Sequence, residues 1–251
     1  MLDSSEFIFE PYSDKRVVNR PGFTVGRSGK LLLALHMETG RKYLVKHTYL
    51  HNAANEYVAC WLAERLGVPA PKAYLISPNK AFATQYAVAI EYIEGFRGFQ
   101  KDDVPENLKS DLIAQFALCL VLRLDDMIQM SRTDDHIYSY DFSEAFNVID
   151  LNSAIRMDDD VAVDRMRPQL QQFKHFTETQ DFEVPGLAKE FHLEPEQLKD
   201  GMISTIKRAA EITDEDLDAL TDELMEMYSA AIAVYYEECI RAIRERASWS
   251  D

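Results

Sequence analysis

The chain has 251 residues, 47% of them apolar, enough to form one large domain or two small lobes around a core. With 43 acidic residues against 27 Lys and Arg its net charge is −16, and no basic run interrupts that balance, so direct nucleic-acid binding is not expected. No leader pattern opens the sequence and no apolar stretch approaches bilayer length, so it reads as a soluble, cytoplasmic chain with no membrane span.

After a polar start, Phe23 to His47 predicts an antiparallel meander. Thr24-Val25, Leu31 to Met37 and Tyr43 to Lys46 are strands, separated by turns at Gly26-Arg27-Ser28-Gly29 and Glu38-Thr39-Gly40. Asn52 stands where a helix cap would, and Ala54, Val58, Trp61, Leu62 and Arg65 recur at helical spacing until Gly67 and Pro69 end the helix. Ala73 to Ile76 and Ala87 to Tyr92 read as strands, the second continuously apolar as in a buried strand. Gly95 and Gly98 mark the boundary between a sheet-rich part, residues 1–95, and a helix-rich part, residues 96–251. There Lys109 to Met130 predicts a central buried helix, Ser131 to Glu144 a polar connection, and Phe146 to Asp150 a short strand ending in an acid. From Pro195 the pattern is helical, closing with one long helix from about Asp214 to Ala247.

Three of the remaining features have structural explanations. Cys60, Cys119 and Cys239 lie in apolar helical contexts and read as reduced core thiols. The histidines show no paired spacing for zinc, and Asp158-Asp159-Asp160 reads as a solvated turn.

Other residues carry candidate chemistry. Lys46 ends an apolar strand, where an ammonium either snorkels outward or meets an anion. In kinase-type phosphoryl transfer such a Lys grips the nucleotide phosphates and a helix Glu fixes it; Glu56 is the candidate partner. Transfer to a hydroxyl also needs a carboxylate near the attacking oxygen and oxygen ligands for a metal, roles that Asp134 and Asp150 can fill. Asp134 is also accounted for by a connecting turn that faces water, and Asp150 by a helix cap or a turn in which it bonds its own backbone. Gly26 and Gly29 can let backbone N–H groups approach phosphates, although their spacing is not that of a Walker A loop and a plain hairpin turn accounts for them as well.

Taken in order, Lys46, Glu56, the strand Ile90-Glu91-Tyr92-Ile93-Glu94-Gly95, the long helix, Thr133-Asp134-Asp135-His136 and Val148-Ile149-Asp150 resemble the HipA-like kinases, in the phosphatidylinositol-kinase-like branch of the kinase fold. The segment from Ala54 to Pro71 looks especially like that family's first-lobe helix and its exit, and the resemblance spans roughly Thr24 to Ile155. It implies an α+β, two-lobed protein-kinase-like fold with a small antiparallel-sheet N-lobe and a mainly helical C-lobe, using ATP and Mg²⁺. Lys46 would hold the phosphates and Glu56 orient it; Glu91 and Ile93 would line the adenine hinge through their backbone; Asp134 would be catalytic and Asp150 would bind metal. Five positions after the catalytic Asp the family has a metal-holding Asn, and here Ser139 stands. Asp135, Asp141, Asn147 and Asn152 are further available ligands. The implied activity is a serine/threonine protein kinase. Ser139 leaves open a nucleotide-binding pseudokinase or partner-binding module, and a small-molecule kinase uses the same carboxylate logic.

Overall fold

The structure is a computed structural model that describes residues 1–12, 30–47, 50–98, 104–124, 130–147, 154, 156–179 and 185–248. Strands β1 (Phe7–Pro11), β2 (Lys30–His36), β3 (Lys42–His47), β4 (Ala73–Leu75) and β5 (Val88–Glu91) form an antiparallel sheet in the order β1-β2-β3-β5-β4. Side chains alternate across it. Phe7, Ala34, Tyr43, Val45 and Ala89 close a small core with Ile76 and Phe82, while Val88 and Ile90 face the large core. The meander expectation meets β2 and β3. Its first member, Thr24-Val25, lies outside the described residues, and the strand found pairing β2 is Phe7–Pro11, within the supposed polar start. Glu10 and Pro11 hide it, since an edge strand tolerates both.

Helix α1 (Leu50–Leu66) follows β3 and ends in a Schellman motif: Gly67 N–H donates to Glu64 O and Val68 N–H to Ala63 O, with Gly67 at φ 64°. The Arg208 guanidinium occupies the space a Cβ at Gly67 would need and donates to Leu66 O at 2.9 Å. Helix α2 (Lys109–Val121) stops well short of Met130, because Arg123 at φ 57° closes the same kind of motif, with Arg123 N–H to Leu120 O and Leu124 N–H to Cys119 O. The polar connection contains a hairpin, β7 (Met130–Arg132) and β8 (Ile137–Ser139), turning at Thr133–His136 and edged by β6 (Arg97–Gly98). Where a strand to Asp150 is predicted, Ala145–Asn147 is a 3-10 turn with Phe146 at φ 61°; Asp150 itself lies outside the described residues.

The rest is helical: α3 (Asp159–Thr179), α4 (Pro185–Glu190), α5 (Pro195–Lys207), α6 (Asp214–Met227) and α7 (Ala230–Ser248). Asp159 and Asp160 open α3 at its positive dipole end, which corrects their reading as a turn. The single closing helix is two, broken at Tyr228, whose backbone is extended (φ −122°, ψ −160°). The three cysteines are free and buried. Among the described residues no helix is long and apolar enough to cross a membrane. The large core runs through α1 to α7. Replacing Gly67 by Ala should strain the left-handed position and push against Arg208, costing about 1–2 kcal/mol in denaturant unfolding, whereas Gly40→Ala, with open space at its Cβ, should cost only the strain.

Candidate functional site

Alternation along β3 turns Tyr43, Val45 and His47 to the small core and Lys46 to the opposite face. There the Lys46 ammonium meets the Glu56 carboxylate from α1 and, at 3.3 Å, Asp141 Oδ1 from just beyond β8. Glu56 has a side chain only 2% exposed and also accepts the Phe142 N–H. Burial works against the charge on Lys46, but the two carboxylates outweigh it and raise its pKa above the ordinary lysine value. Burial likewise pushes the Glu56 carboxyl up, against the pull of the ammonium. One ammonium therefore serves two carboxylates.

Asp141 reaches this point by an unusual backbone, at φ 68°, a left-handed conformation that is costly for a residue with a Cβ and persists where its surroundings hold it. Those surroundings are identifiable. Gln115, fully buried on α2, accepts Ser139 N–H and donates to Ile137 O and Pro69 O, fixing β8 two residues upstream. Phe142 is buried beside the site, and Ser143 Oγ donates to Asp141 Oδ1 at 3.0 Å. Ser143 O in turn accepts from Asn55 on α1 at 2.7 Å. Asp141 remains 34% exposed, with one oxygen engaged by Lys46 and Ser143. A carboxylate with an oxygen to spare is a hard ligand suited to Mg²⁺, which typically takes one or two carboxylates and completes its shell with phosphate and water. Among the described residues no three His, Cys, Asp or Glu side chains are grouped to hold a metal without such help.

The structure brings Lys46 and Glu56 together and adds Asp141 to them. It places two other predicted residues elsewhere. Asp134 is at the tip of the β7–β8 hairpin, 70% exposed and ion-paired with Arg97 at 2.9 Å. Ser139 is buried in β8 with its hydroxyl 3.9 Å from Cys119 Sγ, against α2. Glu91 ends β5 with its N–H donated to Lys72 O, and Tyr92 N–H donates to Lys42 O; Ile93 follows at the exit from the sheet. Gly26, Gly29, Asp150 and Asn152 lie outside the described residues. Asp141 was visible in the sequence only as one of several spare ligands. Its signal was Asp141-Phe142-Ser143, a bulky apolar residue between polar ones directly after a short strand, close to the Asp-Phe-Gly that holds metal in protein kinases.

The antiparallel sheet followed by a mostly helical part is a protein-kinase-like fold. A proinflammatory kinase of Helicobacter pylori, CtkA, has a similar structure, with a TM-score of 0.54 at 13% identity over 92% of this chain and 95% of that one. The PAN3 pseudokinase of Neurospora crassa aligns at a TM-score of 0.32 and 14% identity, over 88% of this chain and 68% of that one. No protein-family model and no curated protein matches the sequence.

Removing the ammonium tests the electrostatics directly. Lys46→Ala leaves Glu56 buried without its counter-ion and should lower unfolding stability by about 3 kcal/mol at neutral pH. The stranded carboxyl then has a folded-state pKa raised above its unfolded value, so its cost is present above that folded pKa and fades as pH falls toward the unfolded one. Denaturant titrations at pH 7.5 and pH 5 should show the deficit of Lys46→Ala narrowing at the lower pH; a deficit independent of pH would mean Glu56 is not the group affected.

Proposed function

We propose that the chain is an ATP- and Mg²⁺-dependent phosphotransferase whose nucleotide-metal site is built on Lys46, Glu56 and Asp141, acting on a serine or threonine hydroxyl of a protein. The observation that carries this reading is the convergence of Asp141 on the Lys46–Glu56 pair. In protein kinases a strand Lys is fixed by a helix Glu, and the Asp of an Asp-Phe-Gly turn holds Mg²⁺. Lys46 on β3, Glu56 on α1 and Asp141 after β8 occupy those parts in that order. The likeness in fold to a kinase supports the reading, and the HipA-like assignment rests on the sequence resemblance.

The chemistry asked of these residues is positioning and charge. Nucleotide phosphates would give Lys46 an anionic partner in place of Asp141, while Glu56 keeps the ammonium pointed into the cleft. Asp141, released from Lys46 and still held by Ser143, would present its oxygens to Mg²⁺. The bound metal supplies neutralisation of the charge that grows on the transferring phosphoryl group. Glu91 and Ile93 stand at the end of β5, where the base would meet the backbone. In this reading the metal role implied for Asp150 passes to Asp141. Kinase order then puts the acid that receives the hydroxyl proton upstream of Asp141. The acids there are Asp125 and Asp126, outside the described residues, and Asp134 and Asp135 in the hairpin turn. Asp134 is 70% exposed and paired with Arg97, and we place the role among these acids.

Calorimetric titration with ATP and Mg²⁺ should show Asp141→Asn weakening binding by about tenfold or more, while Asp134→Asn, a change in an exposed ion pair, should stay within about twofold. Labelled γ-phosphate should pass to the protein itself or to an added protein with wild type and not with Lys46→Ala or Asp141→Asn. Undiminished transfer by Asp141→Asn would remove the metal site from the proposal. Loss of transfer on Asp134→Asn with binding intact would return the catalytic role to that residue.

A further inference from the structure

The C-terminal helix reaches the same site from behind. Asn55, on α1 next to Glu56, is fully buried, and both ends of its amide are engaged: Nδ2 donates to Ser143 O and Oδ1 accepts from Tyr236 on α7, each at 2.7 Å. A carbonyl can only accept, so Ser143 requires the NH₂ end of Asn55 and turns the amide oxygen toward α7. A buried amide oxygen needs a donor, and the Tyr236 hydroxyl provides it. Burial also holds that hydroxyl far above the ordinary tyrosine pKa, so it remains a donor throughout the working pH range. Ser143 passes the constraint on through its Oγ to Asp141 Oδ1. The neighbouring Tyr235 donates to Phe146 O at 2.9 Å, so two adjacent α7 tyrosines brace the two left-handed residues of this segment, Asp141 and Phe146.

We propose that Tyr236, acting through Asn55, is a positioning residue that holds the Asp141-Phe142-Ser143 turn against Lys46 and Glu56, making helix α7 a working part of the metal site. The proposal rests on the reading of Asp141 as the metal ligand and adds to it a regulator of metal affinity some ninety-five residues away in sequence. Tyr236 touches neither nucleotide nor metal. It decides how well the Asp141 carboxylate is aimed.

Tyr236→Phe removes one oxygen and keeps the ring, including its edge contact with Phe146 at 5.4 Å. ATP affinity measured by calorimetry across a series of Mg²⁺ concentrations separates aim from stability. The Mg²⁺ concentration for half-maximal effect should rise about tenfold in Tyr236→Phe, as for other residues that orient metal ligands, with ATP affinity in excess chelator unchanged. Ile240→Val, a buried change one turn along the same helix, should lower the melting temperature and leave the magnesium dependence where it was. In an Asp141→Asn background Tyr236→Phe should have no further effect on that dependence, because the group it aims is gone. A magnesium dependence equal to wild type in Tyr236→Phe, while Asp141→Asn shifts it, overturns the positioning role alone. A dependence unmoved by Asp141→Asn overturns the metal assignment and the positioning role together. An equal shift in Ile240→Val overturns the positioning role as well, by showing that loss of stability suffices.

Discussion

A carboxylate that is almost wholly out of water must find a cation or give up its charge, and Glu56 imposes that condition on the fold. Lys46 meets it from the sheet, which ties β3 to α1 at one point. The pairing sets the rotation of α1, because Glu56 must face the strand. With that rotation given, Asn55 faces the turn after β8, and Tyr57 and Arg65 face the C-terminal helices, where they meet Glu223 and Asp216. A single buried acid thus orients a helix that three other parts of the chain read as a reference surface.

The third charge at this point changes the local balance. Two carboxylates around one ammonium leave the cluster short of positive charge, in a chain that is already strongly acidic. Such an arrangement is tolerated because Asp141 keeps partial access to solvent. Asp141 also carries backbone strain. The fold spends a left-handed residue and a chain of buried hydrogen bonds to keep this carboxylate where it is, and strain of that kind collects at functional sites.

The sequence made some of this legible. A charged residue closing an apolar strand is conspicuous, and so is a helix bounded by Gly67 and Pro69, so Lys46, Glu56 and α1 could be placed from pattern alone. Asp141 could not. Strands of three residues, β7 and β8, carry too little periodicity to be distinguished from a polar connection, and the apolar run after them looked more like a strand than the turn that Phe146 makes. That run drew the metal role to Asp150, and the family spacing from Asp134 drew attention to Ser139. Ser139 lies against Cys119 in the core, a placement that its polar sequence context did not announce. The break at Tyr228 was equally hidden, since no Gly or Pro announces it and the extended backbone there is set by how α6 and α7 pack.

Helix α1 also ties the sheet to the rest of the molecule. By connectivity it belongs with the strands, and it packs on β4 and β5 as well as on the turns at Ala145–Asn147 and Arg208–Glu211, while the far face of the sheet has a small core of its own. The contacts of Val88 and Ile90 and, from β3, the Lys46–Glu56 pair hold the sheet to that helix. Any movement of the sheet away from α1 therefore unfastens that ion pair in the same step, so the sheet's packing and the charge balance at Glu56 are lost together.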